Sequence, residues 1–560
     1  MGSGIHAIHD SSIPFAPYPI SPMHTTETLG QALRERLSGE VWTTAEQLER
    51  LARDQSIYRI APLAAVLPRD VADVVATMQF CREAGVPLTC RGGGRGTAGA
   101  ALGRGVVMVF PRQGALSGLR LYDGGGGIPF AEGEPGVLHD DLQAALAAHG
   151  RFLSADPSSG SMCLLGGNVA TKASGPHALR HGSIDRYLES VEFVTAAGEV
   201  VDTARAETIP DYLATGVLAL TRALRSRPAD VATLTRRRGR KIASGYHLFP
   251  LLDQDDPGRL LTGLLTGSVG TLGVVTKARL RSEPRIEGVA ALLLFFADLP
   301  TAGEAVQVLL RTSPAAIEIM NARTVDMVRQ VRPGLAADVP ASSAHMLLAE
   351  FVGESCREQA QAADEAVRAA GLRSAQPAAV VTGQEEVERL WKLRKALLPV
   401  VRGFSRELRP FSIVNDVGVP PVHLAAFIAD IQAVFAELGL VAAIYGHAGS
   451  GNLHLRPLFD VNRPDLAVLL QRTADRVYEC VFRYDGTITA EHGMGPIRAP
   501  YLRQEWGDSL YATMRAVKPD IVAASIALAS SSVAISQVAW LIASVTLPDR
   551  AAEASWTWSW

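Results

Sequence analysis

The apolar positions change period along the chain, and each change marks an element. Between Asp70 and Ala84, Val71, Val74, Val75, Met78 and Phe80 recur at helical spacing, whereas residues 106–110 form a short unbroken apolar run of the kind a buried strand shows. Pro62 and Pro68 bracket an extended apolar segment, and Thr43 or Thr44 is placed to cap a short helix before it. Residues 86–89 read as a strand. Residues 136–149 read as a helix with Leu138, Leu142 and Leu146 on one face, and 188–196 as a strand returning through a turn at 197–199. Strands and helices alternate to about residue 284. A second block to about residue 520 places strands at 289–296, 345–351, 411–417 and 440–445 among helices at 302–310, 357–370 and 422–438. That succession predicts an α+β unit, one antiparallel sheet with helices on one face.

Three stretches break the pattern. Residues 1 to about 40 are rich in Pro, Ser, His and Thr and read as a mobile leader; residues 123–127 hold four glycines and read as a turn. Residues 521–548 carry no charge and are long enough for a membrane span, but they include several serines. A replaced end, a membrane anchor and a buried helix all stay open for that tail.

Length and charge narrow the function. At 560 residues more than one domain is expected, and a net charge of −3 leaves no electrostatic footprint for nucleic acid. The basic run RRRGRK at 236–241 reads as a solvated loop. Cys81, Cys90, Cys163, Cys356 and Cys480 include no C-x-x-C pair, which argues against a disulfide framework, a thiolate zinc site or an iron–sulfur cluster inside this chain. Without a recognisable secretory signal, the cytoplasm is the expected compartment.

Candidate chemistry sits in four segments. Residues 91–99 read RGGGRGTAG after a strand, and free N–H groups in such a loop form a nest suited to a diphosphate. A second glycine-rich stretch, 166–175, is expected to be another strand-flanked loop, so that one extended cofactor lies along both. Residues 446–454, GHAGSGNLH, bring His447 and His454 seven apart; residues 487–495, TITAEHGMG, add Glu491 and His492. Two imidazoles and a carboxylate suit a three-ligand divalent site with an open position, leaving the other imidazole as a base. Spacing alone equally allows hydrogen-bonded structural histidines.

Residues 68–99, Asp156-Pro-Ser-Ser159, 166–175 and 267–273 (GSVGTLG) resemble, in order, the FAD-binding domain of the vanillyl-alcohol oxidase/p-cresol methylhydroxylase (PCMH-type) superfamily. GHAGSGNLH, AEHGMG, Trp391-Lys-Leu-Arg394 and Asn415-Asp-Val-Gly-Val-Pro420 resemble the GHAGDGNLH, EHGIG, WxxR and EDVAVP motifs of the FAD-dependent D-2-hydroxyacid dehydrogenases, whose members oxidise D-lactate, D-2-hydroxyglutarate or glycolate. Residues 54–58, Gly245-Tyr246 and 500–507 are most similar to a subgroup fused to an iron–sulfur domain, though no cysteine-rich module follows here.

The resemblance implies a PCMH-type FAD-binding domain of two α+β subdomains at 46–284, after a leader and short helix at 1–45. A C-terminal α+β cap domain with an antiparallel sheet follows at 285–519, then an atypical tail at 520–560. It implies FAD held by Arg91, Gly92, Gly93, Gly94, Arg95, Gly96, Thr97 and Gly99, by Pro157 and Ser158, and by Gly166, Gly167, Asn168, Thr171, Ser174 and Gly175. Gly182, Gly273, Val274 and Asn452 complete that set. No His or Cys directly follows the triple glycine, so no covalent flavin link is expected there. It implies a divalent metal, zinc, on His447, His454 and Glu491, with His492 as base and Arg394 clamping the carboxylate of a small 2-hydroxy acid. Electrons would pass to a quinone, a cytochrome or an electron-transfer flavoprotein, in the cytoplasm or at the inner face of a membrane. The competing expectations are a metal-free alcohol or sugar oxidase of the same superfamily, and a flavin-binding subunit or inactive remnant serving a separate iron–sulfur protein. Departures from the family motifs are Arg95 for Thr or Ser, Val269 and Asn415 for Glu, Ser450 for an Asp expected to support the metal, and the tail.

Overall fold

The computed structural model of the protein describes residues 25–123, 129–336, 339 and 344–518. The N-terminal unit begins with a sheet in the order Glu40–Trp42, Ala64–Leu67, Val106–Val109, Leu88–Arg91, whose last three strands run parallel. Val106–Val109 is buried at every position, as a parallel strand covered on both faces must be. The helix Val71–Ala84 makes the crossover from Ala64–Leu67 to Leu88–Arg91, with Val106–Val109 between those two strands, started by the Asp70 side chain accepting from the Asp73 N–H and ended by Gly85 at φ 63°. Leu88–Arg91 then delivers the chain into the triple glycine.

The leader gives way earlier than expected. Thr25 caps the helix Thr26–Arg34, and its Leu29 and Leu33 pack with Ala64, Val66 and Phe80. Two leucines four apart make a buried stripe that the surrounding polar composition hides. Residues 1–24, the 124–127 glycines and the apolar tail lie outside the described residues.

A five-stranded antiparallel sheet follows, in the order Leu119–Asp123, Pro129–Gly133, Val274–Arg281, Leu188–Val194, Val200–Asp202. The second glycine-rich stretch is not a loop: Leu165–Thr171 is a helix, closed by Lys172 at φ 54°. Small residues let it press on its neighbour, since a Cβ on Gly166 would stand 2.6 Å from Pro135 Cβ.

The C-terminal unit is built on a wholly antiparallel sheet in the order Ala379–Thr382, Val289–Phe296, His345–Val352, Ala316–Met320, Val441–His447, Asn452–Asp460, Leu408–Pro410, with Val417–Gly418 also on Asn452–Asp460. Helices cover both faces rather than one. Leu292, Leu294 and Phe296 point to Leu299–Leu310, Cys356–Ala369 and Leu424–Glu437; Leu293 and Phe295 point to Ala322–Val331 and Gln384–Gly403. The unbroken apolar run at 289–296 is what a doubly covered strand requires. Residues 411–416, expected as a strand, instead connect two short strands, because Asn415 and Asp416 turn toward the loop at 491–492.

The chain then goes home. Leu502–Lys518 packs back on the N-terminal unit, where Ser509 Oγ donates to Asp230 at 2.7 Å. The basic run is not a solvated loop either. Arg237 is 2 % exposed at the end of the helix Pro228–Arg237, 3.4 Å from Glu505 and with its guanidinium 4.5 Å from the Trp506 ring centroid.

Candidate active site

Between the two units lies a cleft of about 550 Å³, within the range of about 300–1,000 Å³ usual for small-molecule and cofactor sites. Its N-terminal wall is Gly92–Thr97, Pro157, Ser158, Gly166, Gly167, Asn168, Thr171, Ser174, Gly273 and Val274; its C-terminal wall includes Arg394, Arg402, His454, Arg456, Glu491 and His492. Two glycines shape this floor. A Cβ on Gly93 would stand 2.3 Å from the Met162 carbonyl oxygen, so the triple glycine lies directly on the turn that leads into the second glycine-rich segment. Gly167 has no atom within 4 Å of its Cβ position, which leaves bare helix backbone facing the cleft. A floor of peptide groups beneath open space suits a long, flat, phosphate-bearing cofactor.

Five of the expected contacts do not line the cleft. The Arg91 guanidinium donates to the carbonyls of Leu51, Arg53 and Ala101, and so ties the loop down from behind. Gly99 packs on Tyr58 and Gly175 on Asp156, while Gly182 faces a separate cavity of about 360 Å³. Asn452 is fully buried, its amide donating to Asp416 and the Val417 carbonyl. Val269 lines the cleft at φ 54°, and Arg95 lies exposed at its rim.

At one end of the cleft the two histidine motifs meet. His447 Nε2 and Glu491 Oε1 are 3.2 Å apart, His454 Nε2 and His447 Nε2 3.4 Å, and His454 Nε2 and Glu491 Oε1 3.4 Å. Three donors at about 2.0–2.2 Å from one small ion take separations of this order. The partners on the far sides set the tautomers. His454 Nδ1 faces the Asn415 carbonyl at 3.1 Å and His447 Nδ1 faces Glu318 Oε1 at 2.5 Å; both can only accept, so Nδ1 carries the hydrogen and Nε2 offers its lone pair.

The electrostatics follow from the same contacts. Burial holds the His454 imidazole well below its ordinary pKa. Burial also presses His447 down, but the Glu318 carboxylate prevails and its pKa is raised. Burial pushes Glu491 up, and Lys241 and His447 nevertheless draw it well below the usual carboxylate range. Lys241 Nζ stands 2.5 Å from Glu491 Oε2, leaving Oε1 for the triangle.

His492 stacks on His454 with ring centroids 5.3 Å apart, and burial lowers its pKa. Its Nδ1 lies 3.5 Å from Asp416 Oδ2 and 3.3 Å from the Asn415 amide nitrogen. Asp416 is fully buried and accepts the backbone N–H groups of Glu491 and His492 at 3.0 and 2.8 Å, which fixes that turn. Arg394 is paired through Nε with Glu318, and its Nη2 has no partner.

Sequence reasoning missed Lys241, Glu318 and Asp416. Lys241 lies in a basic run that reads as solvated, and Glu318 lies 129 residues from the His447 that it supports. The one available signal was a Glu inside the apolar run 316–320, because a strand carboxylate buried at 0 % needs a charged partner. Ser450 sits in a turn lining the second cavity, so support of the triangle comes from Glu318, the Asn415 carbonyl and Lys241.

Residues 62–204 match the family model of an FAD binding domain, and 286–519 that of the FAD linked oxidases, C-terminal domain. A D-2-hydroxyglutarate dehydrogenase from Pseudomonas putida is 29 % identical over 84 % of this chain and 48 % of its own length. The glycolate oxidase subunit GlcD of Escherichia coli is 28 % identical over 87 % of each chain. The chain thus spans about half the length of the first-ranked D-2-hydroxyglutarate dehydrogenases it matches. Among solved structures, 4-ethylphenol oxidase from Gulosibacter chungangensis superposes with a TM-score of 0.64 at 15 % identity, over 90 % of this chain and 97 % of that one; this likeness is one of fold.

Proposed function

Because the chain belongs to the family of FAD-linked hydroxyacid dehydrogenases, we propose that it oxidises a small D-2-hydroxy acid to the 2-oxo acid. The observation that carries this reading is the triangle of His447, His454 and Glu491 beside His492, at the end of a glycine-floored cleft. The unit at 46–284 would hold FAD, and the unit at 285–519 would hold a divalent cation on that triangle, zinc by its donor set. When bound, FAD supplies a two-electron acceptor and the cation a Lewis acid that acidifies the substrate hydroxyl.

The chain's own residues do the rest. Arg394 binds the substrate carboxylate through its free Nη2, with Glu318 fixing the plane of the fork. His492 takes the hydroxyl proton at Nε2, and Asp416 at 3.5 Å from Nδ1 stabilises the imidazolium. Lys241 keeps Glu491 ionised and aimed. A quinone, a cytochrome or an electron-transfer flavoprotein would take the electrons onward, with the enzyme in the cytoplasm or at the inner face of a membrane. A separate iron–sulfur protein is one form that carrier could take. Among the described residues no helix is long and apolar enough to cross a membrane.

Replacement of His447, His454 or Glu491 by Ala is expected to remove bound metal and turnover while FAD stays, as read by metal analysis and flavin absorbance. His492→Ala should keep the metal and lose activity by about 10²–10⁴-fold. Wild-type metal content and turnover in all four variants would remove the basis of this reading.

A further inference from the structure

The cleft holds more positive charge than this reaction uses. Its lining includes one carboxylate, Glu491, already neutralised by Lys241, against Arg95, Arg394, Lys395, Arg402 and Arg456. Arg95 and Lys395 are exposed, so water compensates them. Arg456 has no such relief. It is 2 % exposed, its Nη1 donates to Ser412 Oγ at 3.2 Å, its Nε has no partner, and among the described residues no carboxylate pairs with it. A buried ion without a counter-ion costs several kcal/mol in general, so a chain that keeps one has a use for the anion that completes it.

Position says where that anion sits. Arg456 follows His454 by two residues on the strand Asn452–Asp460, so both side chains leave the same face, with Cα atoms about 7 Å apart at strand rise. Arg402 comes from the helix Gln384–Gly403, eight residues after Arg394 and on the same face. Burial and the nearness of Arg456, Arg95 and Arg409 push its guanidinium down to about 10, the mark of crowded like charge. Two buried guanidinium groups, Arg394 and Arg456, thus line one cavity, and each keeps one nitrogen that no protein acceptor satisfies.

We propose that the substrate is a dicarboxylic 2-hydroxy acid, with Arg394 on the carboxylate beside the hydroxyl and Arg456, backed by Arg402, on the second carboxylate. This rests on the hydroxy-acid reading above. The diphosphate of FAD is the other anion that could complete Arg456, and the test separates the two.

The holoenzyme is compared with Arg456→Met and Arg456→Lys. Met removes an unpaired buried charge at similar length, so folding should hold or firm. Flavin per chain is read by absorbance, kcat/KM is measured for D-malate, D-2-hydroxyglutarate, D-lactate and glycolate, and binding of 2-oxoglutarate and pyruvate is measured by calorimetry. The expected result is a wild-type preference for the dicarboxylates that Arg456→Met lowers by about 10²-fold and Arg456→Lys partly restores. D-lactate turnover should fall far less than dicarboxylate turnover, flavin content should stay unchanged, and 2-oxoglutarate should lose affinity in the Met variant while pyruvate does not. Equal losses for all four acids, a wild-type preference for D-lactate, or loss of flavin in Arg456→Met would each overturn the proposal. If no hydroxy acid reduces the flavin, yet 2-oxoglutarate binds and depends on Arg456, the oxidation reading fails and the dicarboxylate site stands.

Discussion

Adding one methyl group at Gly167 probes what the cleft is for. No protein atom lies within 4 Å of its Cβ position, and alanine is the better helix former by about 1 kcal/mol. Gly167→Ala is therefore expected to leave the flavin-free protein as stable or firmer in thermal denaturation, yet to weaken FAD binding in titration, because only the cofactor occupies that space. Undiminished FAD affinity would place the cofactor elsewhere. Gly93→Val, by contrast, meets the Met162 carbonyl, and Gly94→Val is forced to φ 62° against the Arg91 guanidinium. Both should lose flavin together with local order. Which residues are glycine was legible from the chain, but what each one touches was not, since Met162 is some seventy residues from Gly93. Lys241 shows the limit more sharply. One cation among five in RRRGRK is indistinguishable in sequence from its solvated neighbours, and only the fold sets it against Glu491.

At the scale of elements, the period of the apolar residues located the helices and most strands, since it reports burial on one side of each. It failed where polar groups rather than burial fix the backbone. Residues 411–416 look like a strand, yet Asn415 and Asp416 are spent on His454 and the 491–492 turn. It was also silent on how elements of different units join. His177, just before the short helix Ala178–His181, shows one such joint. Its Nδ1 stands 2.6 Å from Asp156 of its own unit, and its Nε2 stands 2.8 Å from Glu350 on the strand His345–Val352. Burial works against the imidazolium, but the two carboxylates prevail and its pKa is raised well above the ordinary value of 6.5. A raised folded-state value means the stabilisation is fully present below about pH 6.5. It is lost as pH climbs through the folded value. Denaturation of the wild type should therefore show stability declining above neutrality, and His177→Gln should lower stability by about 1–3 kcal/mol below pH 6.5 and flatten that decline. A variant with the wild-type slope would mean the joint contributes nothing to stability.

At the scale of the whole molecule, the division into two units was legible in the order of motifs, but the return of the last described helix to the first unit was not. Nothing in the local pattern of 502–518 says which core receives it. Glu505 is the residue that fixes the docking. Burial raises its pKa, while its carboxylate accepts from Ser244 Oγ at 2.6 Å and from the Ile488 N–H at 3.0 Å and lies 3.4 Å from Arg237. Glu505→Ala leaves the buried Arg237 with Asp485 as its remaining carboxylate and strips the acceptor from Ser244 and the Ile488 N–H, and is expected to cost about 1–3 kcal/mol, read from denaturant midpoints. A loss below about 1 kcal/mol would mean that water reaches Arg237. The same return makes the second unit an insert fastened at two places, once near residues 284–289 and again at 488–502. A protease that nicks an outer loop of the insert therefore leaves each fragment joined to the first unit by its own peptide bond.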